Sequence, residues 1–150
     1  MLSKHSKVEE PVAPASAFSH RFRVTAADID ALGHANNTAY VRWIQDVAVA
    51  HSEQMGLALA DYQSLGAVFV IRRHEIDYLR AAMEGDRLEV RTWIDSARSA
   101  SCVRATEVVR VEDGAVLVKA VTTWAFIDTQ SGRPTRITPE VRGKFGFPPA

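Results

Sequence analysis

One long amphipathic helix, followed by strands that only tight turns connect, constrains this chain more than any other feature. Between Thr38 and Met55, residues Tyr40, Trp43, Ile44, Val47, Ala48, His51 and Met55 recur at spacings of three and four. That spacing puts them on one helical face. Arg42, Gln45, Asp46, Ser52 and Glu53 cover much of the rest. Asn36, Asn37 and Thr38 are capping types at its start, and Gly56 is a natural stop. Ala48, Val49 and Ala50 widen the apolar face and predict a helix that is deeply covered.

The flanking segments read as strands. From His20 to Ala27, Phe22 and Val24 alternate with Arg21, Arg23 and Thr25, the pattern of a half-buried strand. After a short turn around Leu59 to Gln63, the run Ala67 to Tyr78 is rich in β-formers. Glu84-Gly85-Asp86 turns the chain, and Leu88, Val90, Thr92 and Ile94 then alternate with polar or bulkier partners. Ser96 to Ser101 is small and polar, a predicted loop or bulge. Cys102 to Val111 and Val116 to Ile127 are joined by the hairpin signal Glu112-Asp113-Gly114. Thr138-Pro139-Glu140 starts a short terminal helix, and the Pro-rich end is expected to fray. A strand, a long helix and four strands on tight turns require an antiparallel sheet, not alternating βαβ units. The economical α+β solution is a curved sheet wrapped around the helix.

At 150 residues, the chain fits one domain: a flexible tail over residues 1–17 and a single domain over 18–150. Eighteen basic and eighteen acidic side chains balance to zero net charge. That gives no support for nucleic-acid or membrane-surface partners. The single cysteine, Cys102, excludes an intrachain disulfide and reads as a small buried hydrophobe. The N-terminus lacks the apolar run of a signal peptide, and no segment approaches bilayer length, so the expected compartment is the cytoplasm.

The chemistry concentrates in residues 28–40. Asp28 and Asp30 end the first strand, Gly33 turns the chain, and Asn36, Asn37 and Thr38 open the helix. A carboxylate beside a helix start stands next to backbone N–H groups that have no intrahelical partner. That pairing suits attack on a carbonyl whose oxygen becomes negative. Either aspartate could instead cap a turn. His34 is a proton carrier, a substrate contact or a turn residue. His51 lies on the apolar helix face and reads as core, and His74 and Glu75 should face opposite ways along a strand. No histidine pair has metal-ligand spacing. There is no Gly-x-Ser-x-Gly elbow, phosphate-binding loop or dinucleotide fingerprint. Among Arg72, Arg73, Arg98 and Arg104, most should be solvated surface arginines; Arg98, beside Ser99 in the polar break, is the best candidate for an anionic ligand.

Asp28-x-Asp30-x-x-Gly33-His34-x-Asn36-Asn37-x-x-Tyr40, followed by Ile76-Asp77-Tyr78-Leu79-Arg80 and Gly85-Asp86-x-Leu88-x-Val90, resembles the 4-hydroxybenzoyl-CoA thioesterase branch of the hotdog-fold acyl-CoA thioesterases. The resemblance runs from about His20 to Phe126. It implies a hotdog fold and hydrolysis of an acyl-CoA thioester without a metal or other cofactor. Asp30 would be nucleophile or general base, and the Asn37 backbone N–H would bind the thioester carbonyl, with Gly33 and His34 in the same loop. Asn36, Tyr40 and Trp43 would lie near the acyl group or the core, and Arg98 and Ser99 near the nucleotide end. It also implies a homodimer or homotetramer with active sites at subunit interfaces. Relatives acting on acyl carrier protein thioesters, or binding acyl ligands without hydrolysis, share the fold. The benzoyl-specific members carry bulky aromatics where Asn36 and Asn37 stand here, which points away from 4-hydroxybenzoyl-CoA itself.

Overall fold

The computed structural model describes residues 12–148. Most of the predicted tail, residues 1–11, lies outside the described residues. Five strands, β1 (Phe18–Arg23), β2 (Ala67–Tyr78), β3 (Arg87–Ala97), β4 (Ser101–Arg110) and β5 (Val116–Asp128), form one sheet in the order β1-β3-β4-β5-β2. Every pairing is antiparallel. Three helices accompany it: α1 (Asn37–Gln54), α2 (Leu59–Leu65) and α3 (Pro139–Phe145). Among the described residues no helix is long and apolar enough to cross a membrane.

α1 lies against the sheet through the predicted stripe. Ala39, Tyr40, Trp43, Ile44, Val47, Ala48 and Ser52 are its buried residues. Tyr40, Trp43 and Val47 join Leu88, Val90, Val108, Leu117 and Val118 in one core cluster. A second cluster, with Leu57, Tyr62, Cys102, Phe126, Ile137 and Val141, fills the space under α2 and α3. The helix is less covered than expected: Val49 is 54% exposed. One sheet can bury only one side of a helix, so within a single chain the outer face of α1 stays open.

Four boundaries differ from the sequence expectation. β1 stops at Arg23 because Thr25 and Asp28 close a single 3-10 turn over Ala26–Asp28. The turn near Leu59 is a full helix, which ends where Gly66 takes the left-handed conformation. The break before β4 is shorter, because β3 absorbs a bulge between Ile94 and Ser96 and continues to Ala97. The C-terminal segment does not fray as far as Pro148. Arg142 Nη1 donates to the Pro148 carbonyl at 2.8 Å, and Phe147 N–H donates to Arg142 O at 2.8 Å.

Candidate active site

The loop from Asp28 to Asn36 is a compact hairpin docked on the start of α1. Asn36 N–H donates to Asp28 O at 2.8 Å and Asp30 N–H to His34 O at 2.9 Å, with Ile29 and Ala35 bridging between them. Gly33 N–H closes the tip onto Asp30 O at 3.0 Å. Gly33 has φ +84°, which a side chain at this position would strain. Ala35 N–H donates to Ala82 O at 2.9 Å, tying the loop to the β2–β3 connection.

The two aspartates part company. Asp28 is buried just beneath the surface, with Arg42 Nη2 2.6 Å from Oδ1 and Thr25 N–H 3.1 Å from Oδ2. Burial alone would raise its pKa, but the Thr25 N–H, the Arg42 guanidinium and the Thr25 hydroxyl outweigh it and hold the carboxyl below its usual range. Its stabilising contribution is therefore complete above the ordinary carboxylate pKa and fades as pH falls through the lowered folded value. Since Arg42 is 56% exposed, solvent screens the pair, and Asp28→Asn should cost only about 1 kcal/mol at pH 7. Urea unfolding of the two proteins between pH 7 and pH 2.5 should show that gap closing on the acid side; a gap that persists to pH 2.5 contradicts this role.

Asp30 is half-buried in the hairpin tip. Its Oδ1 accepts from Leu32 N–H at 2.9 Å and His34 N–H at 3.4 Å. Its Oδ2 makes no hydrogen bond among the described residues. The carboxylate is thus fixed through one oxygen and free at the other. At the helix start, the Asn36 side chain caps Thr38, accepting from its N–H at 2.9 Å and its hydroxyl at 2.8 Å. Ala39 N–H donates to Asn36 O at 2.8 Å. That leaves the Asn37 N–H without a partner among the described residues, at the positive end of an 18-residue helix. The hairpin therefore presents a free carboxylate oxygen and a free backbone donor, which is what addition to a thioester carbonyl needs.

The other sequence candidates fall into separate places. His34 is exposed in the loop. Tyr40 is 2% exposed and its hydroxyl accepts from Ala82 N–H at 2.8 Å, so it buttresses the loop from within. Tyr40→Phe would strand that buried N–H, at about 1–3 kcal/mol, and should appear as a lower urea midpoint at unchanged slope. Trp43 packs between Phe22 and Tyr40, each ring 5.0 Å away, beneath the helix rather than on the loop surface. Arg98 and Ser99 lie in the β3–β4 turn, at the opposite end of β3 from the residues that pair with β1's end and hold the loop. There the Arg98 and Ser99 carbonyls accept from Arg142 and from Ile137 N–H. One chain does not bring them to Asp30.

Tyr78, at the end of β2, went unassigned in the sequence. It is 45% exposed, its hydroxyl sits 3.5 Å from Asn37 O, and its ring packs edge-on against Tyr40. Its place within the second motif was the signal that could have marked it. Arg104 overturns the expectation of a solvated arginine, being 4% exposed. His51 is half-buried at the edge of the core rather than fully inside it, accepting from Arg104 Nη1 at 2.9 Å and stacking on Phe18. Cys102 is buried, which pushes its thiol up to about 11. An open groove of about 600 Å³ is lined by Asp28, Arg42 and Trp43, not by Asp30. No cluster of three or more His, Cys, Asp or Glu positioned to hold a metal occurs among the described residues.

A five-stranded antiparallel sheet curled on one long helix, with a loop carboxylate at the helix start, defines a hotdog-fold protein. The chain belongs to the thioesterase-like superfamily, whose family model matches residues 24–145. A 1,4-dihydroxy-2-naphthoyl-CoA thioesterase from Synechocystis superposes with a TM-score of 0.80 at 20% identity, covering 87% of this chain and 96% of that one. A Staphylococcus aureus protein solved in complex with CoA superposes at 0.82 and 18% identity, covering 95% and 91%. A chloroplastic palmitoyl-acyl carrier protein thioesterase from Gossypium hirsutum is 25% identical over 133 residues, 85% of this chain and 32% of that protein. The chain spans about a third of the length of the curated relatives it matches.

Proposed function

We propose that this protein hydrolyses acyl-CoA thioesters to a free acid and CoA. The observation that carries the reading is the pairing of a half-free Asp30 carboxylate with an unpartnered Asn37 N–H across one short hairpin. The Asn37 N–H donates a hydrogen bond to the thioester oxygen and stabilises it as it becomes an oxyanion. Asp30 either attacks the carbonyl carbon, giving a mixed anhydride that water then opens, or takes a proton from the attacking water. The CoA thiolate leaves without a strong acid, since a thiol is a good leaving group near neutral pH. His34 and Asn36 border the loop, and Tyr78 and Tyr40 wall it.

The working unit of this proposal is a homodimer or homotetramer with its sites completed at the interface. The outer edge of β2 supports this: twelve residues long, unpaired among the described residues, with Val70, Tyr78 and the following Leu79 exposed. Such an edge is a template for pairing with a second copy. A second subunit is also the route by which an Arg98–Ser99 turn could reach an Asp30 loop. A cytoplasmic location fits the same reading.

Acyl carrier protein thioesters are the second reading, favoured by the plant thioesterase relatives. A panel of acyl-CoA and acyl-carrier-protein thioesters, followed by free-thiol release, tests both. Turnover of CoA thioesters with kcat/KM at least equal to the carrier-bound forms supports the first. Ligand binding without thiol release across the whole panel removes the hydrolase reading altogether.

A further inference from the structure

The C-terminal half of α1 faces a cavity of about 170 Å³ walled chiefly by apolar side chains, among them Leu57, Phe69, Ile94 and Phe145. Arg104 lines it. Its Nη1 donates to His51 Nδ1 at 2.9 Å and to Thr92 Oγ1 at 3.0 Å. Burial, then the Arg104 charge, pushes His51 down to about 4, so that imidazole is neutral and offers Nδ1 as an acceptor. Burial lowers Arg104 to about 10, which still leaves it cationic at neutral pH.

Among the described residues no carboxylate forms an ion pair with that cation. The acidic groups whose charge acts on it are Cys102 and Tyr62, and burial raises both, so neither is ionised near pH 7. Glu53, exposed on the cavity wall, forms no ion pair with Arg104 among the described residues. A buried, uncompensated charge is costly. Among the described residues three buried donors have no partner: Arg104 Nε and Trp124 Nε1, on side chains that line this cavity, and Arg142 Nε, on one that does not. Arg104 pairs with Thr122 and Cys102 with Trp124 across β4 and β5, so Arg104 and Trp124 are diagonal neighbours. Long and aromatic side chains reach each other at that offset.

We propose that this cavity binds the carboxylate of a small, otherwise apolar free acid, received by Arg104 and the Trp124 indole N–H, with the hydrocarbon body against the apolar wall. Both orphan groups are donors, so an acceptor must meet them, and a charged acceptor also answers the guanidinium. A cavity of this size holds a benzene-sized body, so the acid carries a six-carbon chain or a single ring. An acyl thioester is neutral at its carbonyl; only the free acid presents a carboxylate. The site is separate from the hairpin, since Ala48 lies about 16 Å along α1 from Asn37, and it does not depend on the hydrolase reading.

Calorimetric titration of the full chain with hexanoate, and with hexan-1-ol as the uncharged probe of equal length, tests this. Hexanoate should bind once per chain, roughly tenfold or more tighter than hexanol. Arg104→Met, which keeps the volume apolar, should remove that preference. Trp124→Phe, which deletes one N–H and little else, should weaken hexanoate several-fold while sparing hexanol, and it carries the test if Arg104→Met fails to fold. Equal binding of the two probes, hexanoate binding unchanged in either variant, or no saturable heat with hexanoate overturns the proposal.

Discussion

Asp30→Asn should abolish thioester hydrolysis while leaving the fold intact. Asparagine keeps an Oδ1 that can accept from the Leu32 and His34 N–H groups, so the hairpin tip retains its two hydrogen bonds. What disappears is the second carboxylate oxygen, the one with no partner. A lost general base lowers kcat by roughly 10²- to 10⁴-fold, and a lost nucleophile by at least as much. The melting temperature should stay within a degree or two, on the order of the shift expected for a change of a few tenths of a kcal/mol. Free-thiol release by parent and variant, run on every thioester the parent cleaves, measures this. Near-parental turnover would remove Asp30 from the chemistry. The contrast with Asp28→Asn is informative, because Asp28 has both oxygens engaged by Thr25 and Arg42 and should affect stability before rate.

The second large effect should come from deleting a single backbone N–H. Asn37 is the first residue of α1, the helical position that best tolerates proline. Asn36 before it has φ −63° and ψ 140°, the extended conformation that a following proline requires. Asn37→Pro therefore fits the existing backbone and removes only the donor, apart from the exposed side chain. If that N–H holds the oxyanion, kcat should fall by roughly 10²- to 10³-fold. Asn37→Ala keeps the N–H and should stay within a few-fold of the parent. Circular dichroism should report both as folded. Equal activity in the alanine and proline variants would place the oxyanion donor elsewhere.

The fold was largely readable because its signals are local and repeat. The three-four spacing of Tyr40, Trp43, Val47 and Ala48 and the turn residues around Gly85 and Gly114 each report a neighbourhood of a few residues. Together they demand an antiparallel sheet on one helix. The misread boundaries have a common cause. The early end of β1 depends on a Thr25–Asp28 side-chain closure, and the late end of β3 on a bulge, neither of which alters the hydrophobic alternation. Val49 was misread because apolar character says that a residue can be buried, not that this chain supplies a cover.

The site was legible as a segment but not as an arrangement. That Asp28, Asp30, Gly33 and the Asn36–Asn37 helix start share one loop follows from their order along the chain. Which aspartate keeps a free oxygen does not, because Arg42 reaches Asp28 from one helical turn further on, and Leu32 and His34 hold only one side of Asp30.

By itself the sequence determined the architecture, the candidate loop and the two aspartates, Asp28 and Asp30, from which a reacting carboxylate had to be chosen. Only the tertiary structure decided which groups remain without partners among the described residues, Asp30 Oδ2, the Asn37 N–H and the buried Arg104 and Trp124 donors among them. Periodicity records which face of an element is apolar, whereas hydrogen-bond satisfaction depends on distances between residues far apart in the chain. Arg104 is the clearest case. It sits in a strand pattern that suits a solvated arginine, and only the closing of α1 over the sheet, with His51 set 2.9 Å away, turns it into a buried cation.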